Sequence, residues 1–371
     1  MPSFQRPRIL GHYSIWSEPP DASGDEVLRI ASPQRKIKLK GHSFREFQRH
    51  VVPLLDGNHP IIEIRERTSD IFDADDLDAA LATLGQQGVL VEGGDVNDDP
   101  RAPQTNLFHD LPGGAELLQK RLEQSTVAIL GLGGAGATTA MGLASAGIGR
   151  MIAIDPGEVT QSDIYLSAAY SLTDIGRPRA EALADALAAK APQLAVAPLT
   201  KPLETEDDIR AAIDGATYVV SCLDPGLVNL SYKLNKVCLA DKRSWISTQQ
   251  EGVETIVGPG VVPDHTACFM CYRMRAIATA GNPEAAFAHE KYMDKAQQDV
   301  GAQRQSTVFS AGLAAHYLGL EVLATLAGYT EPALTGRVLT INLATLETQR
   351  HMVLKKPWCP ACHGTGGSHE S

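Results

Sequence analysis

An α/β fold in two parts is predicted for this 371-residue chain, and three observations predict it. Strand-like and helix-like segments alternate through its last two-thirds. The apolar run "VAILGLGGAGATT" at 127–139 breaks into clustered glycines, and four of the six cysteines fall in two CxxC pairs. Hydrophobic content of 43% and charged content of 21% suit a globular chain with room for two or three domains. No apolar run of about 18 residues or more predicts a membrane span. The start "MPSFQRPRIL" lacks the basic-then-apolar order of a secretory signal, so a cytoplasmic location is expected. A net charge of -11 argues against a non-specific nucleic-acid binder, which needs surplus Lys and Arg to neutralise phosphates.

Residues 1–98 read as a small α+β domain. "EVLRIASPQRKIKLKG" predicts two short strands around a turn at Ser32-Pro33. "SFREFQRHVVPLLDG" predicts a helix, with Phe44, Phe47, Val51 and Leu54 at helical spacing and Gly57 as its stop. A short helix follows in "PIIEIRERT". "FDADDLDAALATLGQQG" then puts Leu77, Leu81 and Leu84 on one face, with acids in the first turn, and "VLVE" closes as a strand. Helix, helix, helix, strand is the order of a winged helix-turn-helix. Gly, Asp, Asn and Pro in "GGDVNDDPRAPQTN" mark a linker, set at 99–114, and 115–371 form the second domain. There, "RMIAID", "RPRAEALADALAAKA", "ATYVVSCLD" and "NLSYKLNKVCLAD" alternate as strand and helix. That order predicts a parallel sheet covered on both faces.

In the quoted loop, Gly131, Gly133, Gly134 and Gly136 follow a strand and open a helix. Glycines there permit a tight turn and bring backbone N–H groups to a pyrophosphate at the helix N-terminus. Asp155 ends the next strand, where a carboxylate accepts from a ribose hydroxyl. The pattern is that of a Rossmann-like nucleotide site; a turn kept for packing after loss of its ligand has the same sequence. A nicotinamide oxidoreductase would rest on this loop alone.

Cys268 and Cys271 in "CFMC", with Cys359 and Cys362 in "CPAC", make a four-thiolate set for a structural Zn²⁺, since the two-residue spacer lets both thiolates of a pair face one ion. Redox pairs and independent buried thiols compete with this reading, but neither CxxC is expected to open a helix after a strand. Cys222 and Cys238 read as small core residues.

A GxGGxG loop, an acid on the next strand and two CxxC pairs, the second near residue 360, together resemble the ThiF/HesA/MoeB superfamily, bacterial relatives of ubiquitin-activating enzymes. The resemblance runs from about 115 to 364 and includes "DIGRPRAEAL", the strand ending at Asp224, "STVFSAGLAAHYLGLEVLATLAG" and "RVLTINLATLETQRHMVLKKPWCPACHG". It implies a fold that binds ATP and Mg²⁺ and adenylates a carboxylate. Gly131, Gly133, Gly134 and Gly136 would cradle phosphates, Asp155 would hold ribose, Arg179 would contact phosphate and Asp224 would place Mg²⁺. It also implies a homodimer. The chain departs from the pattern at the cations. In "DIYLS", Asp163, Leu166 and Ser167 replace the family's Asn, Arg and Gln; Arg179 replaces its Lys; and the Arg-bearing helix signature is missing from "NLFHDLPGG". Arg150 or Lys233 are the available substitutes.

A winged-helix domain before a ThiF-like domain resembles the recognition element of ribosomally made, post-translationally modified peptide (RiPP) pathways. There a leader peptide adds a strand to the small sheet beside the third helix. The edge would lie in 27–40, with Leu28, Ile30, Lys36 and Lys38 as contacts, and helix 73–87 would bring Leu77 and Leu81. The basic run Arg35, Lys36, Lys38 and Lys40 suits an acidic leader; lysines also guard a bare strand edge against aggregation. Four aspartates on that helix argue against DNA. The function implied is to bind the precursor leader and to present it to, and activate, a separate YcaO-type cyclodehydratase. The alternative is an ATP-dependent adenylyltransferase acting on a carboxylate or amide of a bound peptide, with Asp224 as its Mg²⁺ residue. No cysteine falls in 272–304, so no thioester nucleophile is expected there.

Overall fold

The structure, a computed structural model, describes residues 4–20, 22, 24–93, 100–224, 226–299 and 305–363. The chain forms two compact units, Met1–Glu116 and Leu117–Ser371. In the first, β1 (Pro7–Ile9), β2 (Ser14–Glu18), β3 (Glu26–Ala31) and β4 (Lys36–Gly41) precede α1 (Phe44–Glu46), α2 (Ile61–Thr68), α3 (Ala74–Gln86), β5 (Leu90–Glu92) and α4 (Ala102–His109). Strands β2, β3 and β4 make an antiparallel sheet in that order, with Leu28 opposite Leu39 and Ile30 opposite Ile37. The apolar face of α3 shares one core with Leu28 and Ile30. The expected turn at Ser32-Pro33 and the helices over 61–68 and 74–86 are present. Strands β1 and β2 escaped the sequence reading, and β5 returns to pair with β1 and not with the three-stranded sheet.

The helix expected over 43–57 is irregular. α1 runs into a π-type turn at Phe47–Val51 and a 3-10 turn at Val52–Leu54. Pro53 has no N–H to donate back along an α-helix, and the wider turn still sets Phe47 and Val51 in the core. The segment expected as a linker is in part helical, as α4, while 94–99 lie outside the described residues. Asp110, just after α4, explains this. Its carboxylate accepts from the Tyr13 hydroxyl (2.5 Å) and the Ser32 hydroxyl (2.6 Å), which fastens the segment to the first unit.

Helix α5 (Gly114–Glu123) carries the chain into the second unit. There β6 (Thr126–Leu130), α6 (Gly134–Ala146), β7 (Arg150–Ile154), α7 (Gln161–Leu166), α8 (Arg179–Lys190), β8 (Ala195–Leu199), α9 (Glu206–Ala212), β9 (Tyr218–Ser221), α10 (Val228–Ala240) and β10 (Trp245–Glu251) follow the predicted alternation. After them come β11 (Glu254–Val257), α11 (Phe269–Thr279), α12 (Pro283–Asp299), α13 (Val308–Ala327), β12 (Arg337–Asn342) and β13 (Thr348–Met352). The eight strands are ordered β13-β12-β11-β10-β9-β6-β7-β8, parallel from β8 to β10 and antiparallel from β10 to β13. Val127 and Ile129 of β6 enter one core cluster and Ala128 and Leu130 the other, so the sheet is covered on both faces. The antiparallel extension was not read from the sequence. Among the described residues, α13 alone is long and apolar enough to cross a membrane; it packs on α6 and the sheet, with Leu318 and Val322 in the core.

Candidate functional site

The chain reverses its strand order between β6 and β9, and ligands of such sheets lie outside the carboxyl ends of the strands at that point. The glycine loop leaves β6 there, and Asp224 follows β9. Gly131 N–H donates to Ile154 O (2.9 Å) and Cys222 N–H to Leu130 O (2.7 Å), which ties the loop to both neighbours. Gly131 has φ +82, and a Cβ on it would collide with the carbonyl of Cys222. A Cβ on Gly136 would collide with the carbonyl of Gly131, and one on Gly134 would stand 2.9 Å from Leu166 Cβ and 3.0 Å from Ala311 Cβ. Packing alone therefore demands glycine at 131, 134 and 136. At Gly134 the neighbour is Leu166, the residue that stands in place of the family's arginine.

The acids form a closed network. Asp155 accepts from Leu132 N–H and Gly157 N–H, both at 2.7 Å, which aligns its carboxylate at the end of β7. Asp163 is wholly buried and accepts from the backbone N–H and the hydroxyl of Thr160, each at 2.8 Å, closing the capping box of α7. Arg179 spans the two. Its Nε donates to Asp163 Oδ2 at 3.0 Å, and its terminal nitrogens reach Asp163 at 2.9 Å and Asp155 at 3.4 Å. With 9% of its surface exposed, the guanidinium is inside the protein. Asp163, read from the sequence as one more repulsive charge, is instead the partner of the one arginine expected to meet phosphate. Ser167 is likewise turned inward, its hydroxyl 3.1 Å from that of Thr138 on α6.

A cleft of about 730 Å³ opens beside this network, lined by Gly131, Asp155, Arg179, Glu204, Asp224 and Lys233 among apolar side chains. Lys233 donates to the backbone oxygen of Glu204 (2.6 Å). Arg150 opens β7 at the strand's opposite end from Asp155, roughly 13 Å away at the ordinary rise per residue, and cannot serve the site. The lining thus carries three carboxylates against two cations, with Asp163 behind them. ATP needs surplus positive charge at its phosphates, and these residues do not fit it. Asp224 also borders a second cavity of about 660 Å³, between the ends of β9 and β10 and helices α11 and α12, which the sequence reading missed.

The cysteines converge. The four sulfurs of Cys268, Cys271, Cys359 and Cys362 lie within 4.8 Å of one another, with 3.9 Å between Cys268 and Cys271, 3.7 Å between Cys268 and Cys359 and 3.6 Å between Cys271 and Cys362. A tetrahedron of thiolates about 2.3 Å from a zinc ion has edges of about 3.8 Å. The donor set fits a metal ion, which would clamp α11 to the segment after β13. Cys268 does open a helix, contrary to expectation: it is the N-cap of α11. A redox reading gains nothing, because the other pair closes the cluster. Cys222 and Cys238 are buried core thiols, each pushed up to about 12 by desolvation.

In the first unit, the expected peptide contacts divide. Leu28, Ile30, Leu77 and Leu81 are buried core residues, and β3 is paired on both edges, so these four side chains are already spoken for by the fold. Lys36 and Lys38 are exposed on β4, an edge strand, with Ile37 and Leu39 half-buried between them.

Fold and site together define a Rossmann-type nucleotide fold carrying a four-cysteine cluster. The sequence pattern of the ThiF family matches residues 104–361, and the chain belongs to that family. It is 26% identical over 259 residues to the HesA protein of Trichormus variabilis named for the heterocyst, covering 68% of this chain and 85% of that one. It is 25% identical over 251 residues to the molybdopterin-synthase adenylyltransferase of Escherichia coli, covering 66% and 89%. Among solved structures it is similar to E. coli MccB with MccA-N7isoAsn (TM-score 0.65, 18% identity, 96% of this chain and 99% of that one). It is also similar to PaaA (TM-score 0.67, 18% identity, 93% and 99%). These two likenesses establish a shared fold over nearly the whole chain.

Proposed function

We propose that this ThiF-family protein captures the leader of a ribosomally made precursor peptide and presents it to a separate YcaO-type cyclodehydratase, which it activates. The observation that carries the reading is the burial of Arg179 between Asp163 and Asp155. The cation that would meet a triphosphate is consumed inside the fold, so the chemistry that needs ATP falls to another polypeptide. The first unit, read as a winged-helix recognition element, takes the leader as a strand on the bare edge of β4. Backbone hydrogen bonds supply affinity there, and Lys36 and Lys38 attract acidic residues. MccB, solved with MccA, shares the fold over 96% of this chain, which supports a peptide partner. Zn²⁺ in the cysteine cluster is structural. A second copy of the chain covers the exposed Phe309 and Leu320 of α13, giving a homodimer that sedimentation measures.

A labelled leader peptide tests the reading by fluorescence anisotropy. Binding that protects residues 36–41 and needs no ATP is expected. Release of pyrophosphate that depends on the precursor and vanishes in Asp224→Ala would replace this reading with a peptide adenylyltransferase.

A further inference from the structure

Helix α12 is anchored in an unusual way. Among its described side chains only Glu290 is buried, while Phe287 and Tyr292 are 48% and 67% exposed. A helix normally holds its place by an apolar stripe; this one is held by a carboxylate. Glu290 Oε2 accepts from Arg273 (2.6 Å) and Oε1 accepts from the Tyr232 hydroxyl (2.6 Å), joining α12 to α11 and α10. Arg273 also reaches Gln249 (3.3 Å) and Glu251 (3.5 Å) at the end of β10, and its buried Nε has no hydrogen-bond partner among the described residues.

Beneath α12 lies the 660 Å³ cavity. Its apolar wall includes Phe269, Ile277 and Met293; its opposite wall is the end of β10. Strand β9 stops at Ser221, opposite Ser247, while β10 continues to Glu251 paired only with β11. Ser247 O accepts from Gly258 N (2.7 Å) on the β11 side, so ladder alternation turns the backbone N–H and C=O of Thr248 and Gln250 toward the side that β9 has left. An exposed strand edge facing an apolar wall is complementary to an extended backbone with apolar side chains.

We infer that this cavity is a second peptide site, for an extended apolar segment lying along Thr248–Gln250, and that α12 is its lid, latched by Glu290 on Arg273 and Tyr232. The inference rests on the peptide-partner reading and gives the segment beyond the leader its own place. The metal cluster holds the first turn of α11, so the fixed wall of the site is pinned while the lid moves.

Hydrogen exchange read by mass spectrometry on the full chain tests this, with a millimolar pool of capped random hexapeptides as the probe. Helix α12 should exchange as a unit faster than α10. Glu290→Gln should raise that exchange roughly 10- to 100-fold, the worth of a hydrogen bond to a charged group, without moving the main melting transition. The pool should protect 248–251 and α12, and Ala276→Trp, which fills the cavity from a half-buried wall position, should remove that protection. Exchange of α12 no faster than α10, or no protection of 248–251 by the pool, overturns the inference. Leader binding is read separately, on residues 36–41, and stands or falls without it.

Discussion

The four-cysteine cluster and the glycine cleft share one domain and one ancestry, and they differ in what holds their residues in place. Every donor of the cluster points at a common centre, and nothing in the packing requires four sulfurs to meet there. In the cleft the reverse holds. Gly131, Gly134 and Gly136 are fixed by contacts with Cys222, Leu166 and a neighbouring loop carbonyl, whether or not a phosphate is bound. A residue that the fold itself demands says little about a ligand. A residue that only the ligand would demand, such as an arginine free to face phosphate, says much, and here that arginine is engaged elsewhere.

The largest expected effect lies in the cluster. Cys359→Ser should take metal content from one ion per chain to well below that and should lower the melting temperature of the second unit by more than about 10 °C, since structural zinc contributes folding energy directly. Metal analysis with calorimetry measures both; full metal content in the variant would erase the contrast with the cleft. Next is Arg179→Ala. Removing one partner of a buried ion pair leaves Asp163 charged and unpaired by that guanidinium, at a cost of about 3–5 kcal/mol by chemical denaturation. A variant of unchanged stability but weaker ATP binding would mean that Arg179 serves a ligand after all.

Asp110 sharpens the comparison, being a buried carboxylate held by hydroxyls where Asp163 has a guanidinium. Burial alone would raise its pKa; hydrogen bonds from Ser32 and Tyr13, with His12 beside it, outweigh that and hold it below the ordinary carboxylate value. Its contribution is therefore complete above about pH 4 and is lost as the pH falls through the lower folded value. Asp110→Asn should cost the first unit about 1–3 kcal/mol at neutral pH and flatten its acid transition, as followed by calorimetry against pH. The smallest effect is at the edge strand. Lys36→Glu with Lys38→Glu should weaken leader binding by several-fold at low salt and less at high salt, because exposed charges are screened.

How much of this could be read from the sequence follows from the range of the forces involved. The glycine loop, Asp155 and Asp224 were legible because local turn geometry and strand ends dictate them. The cysteine pairs were legible because a metal site imposes its own spacing. Leu28 and Ile30 were misplaced because two adjacent strand patterns do not reveal which strand is central; β2, "SIWSE", is half-buried and has weak alternation, so the true edge, β4, emerged only with the sheet order. The ion pair of Asp163 with Arg179 joins residues on different elements, and nothing in the spacing of "DIYLS" and "RPRAEAL" announces it. The Glu290 latch joins three helices and left no trace in the pattern.

Calorimetric titration of the full chain with ATP and Mg²⁺ tests most directly the claim that the cleft has given up its nucleotide. No saturable heat up to millimolar ATP is expected, with the same result for Leu166→Arg, because Arg179 remains bound to Asp163. Saturable micromolar binding to the unaltered chain, lost in Asp224→Ala, would contradict it.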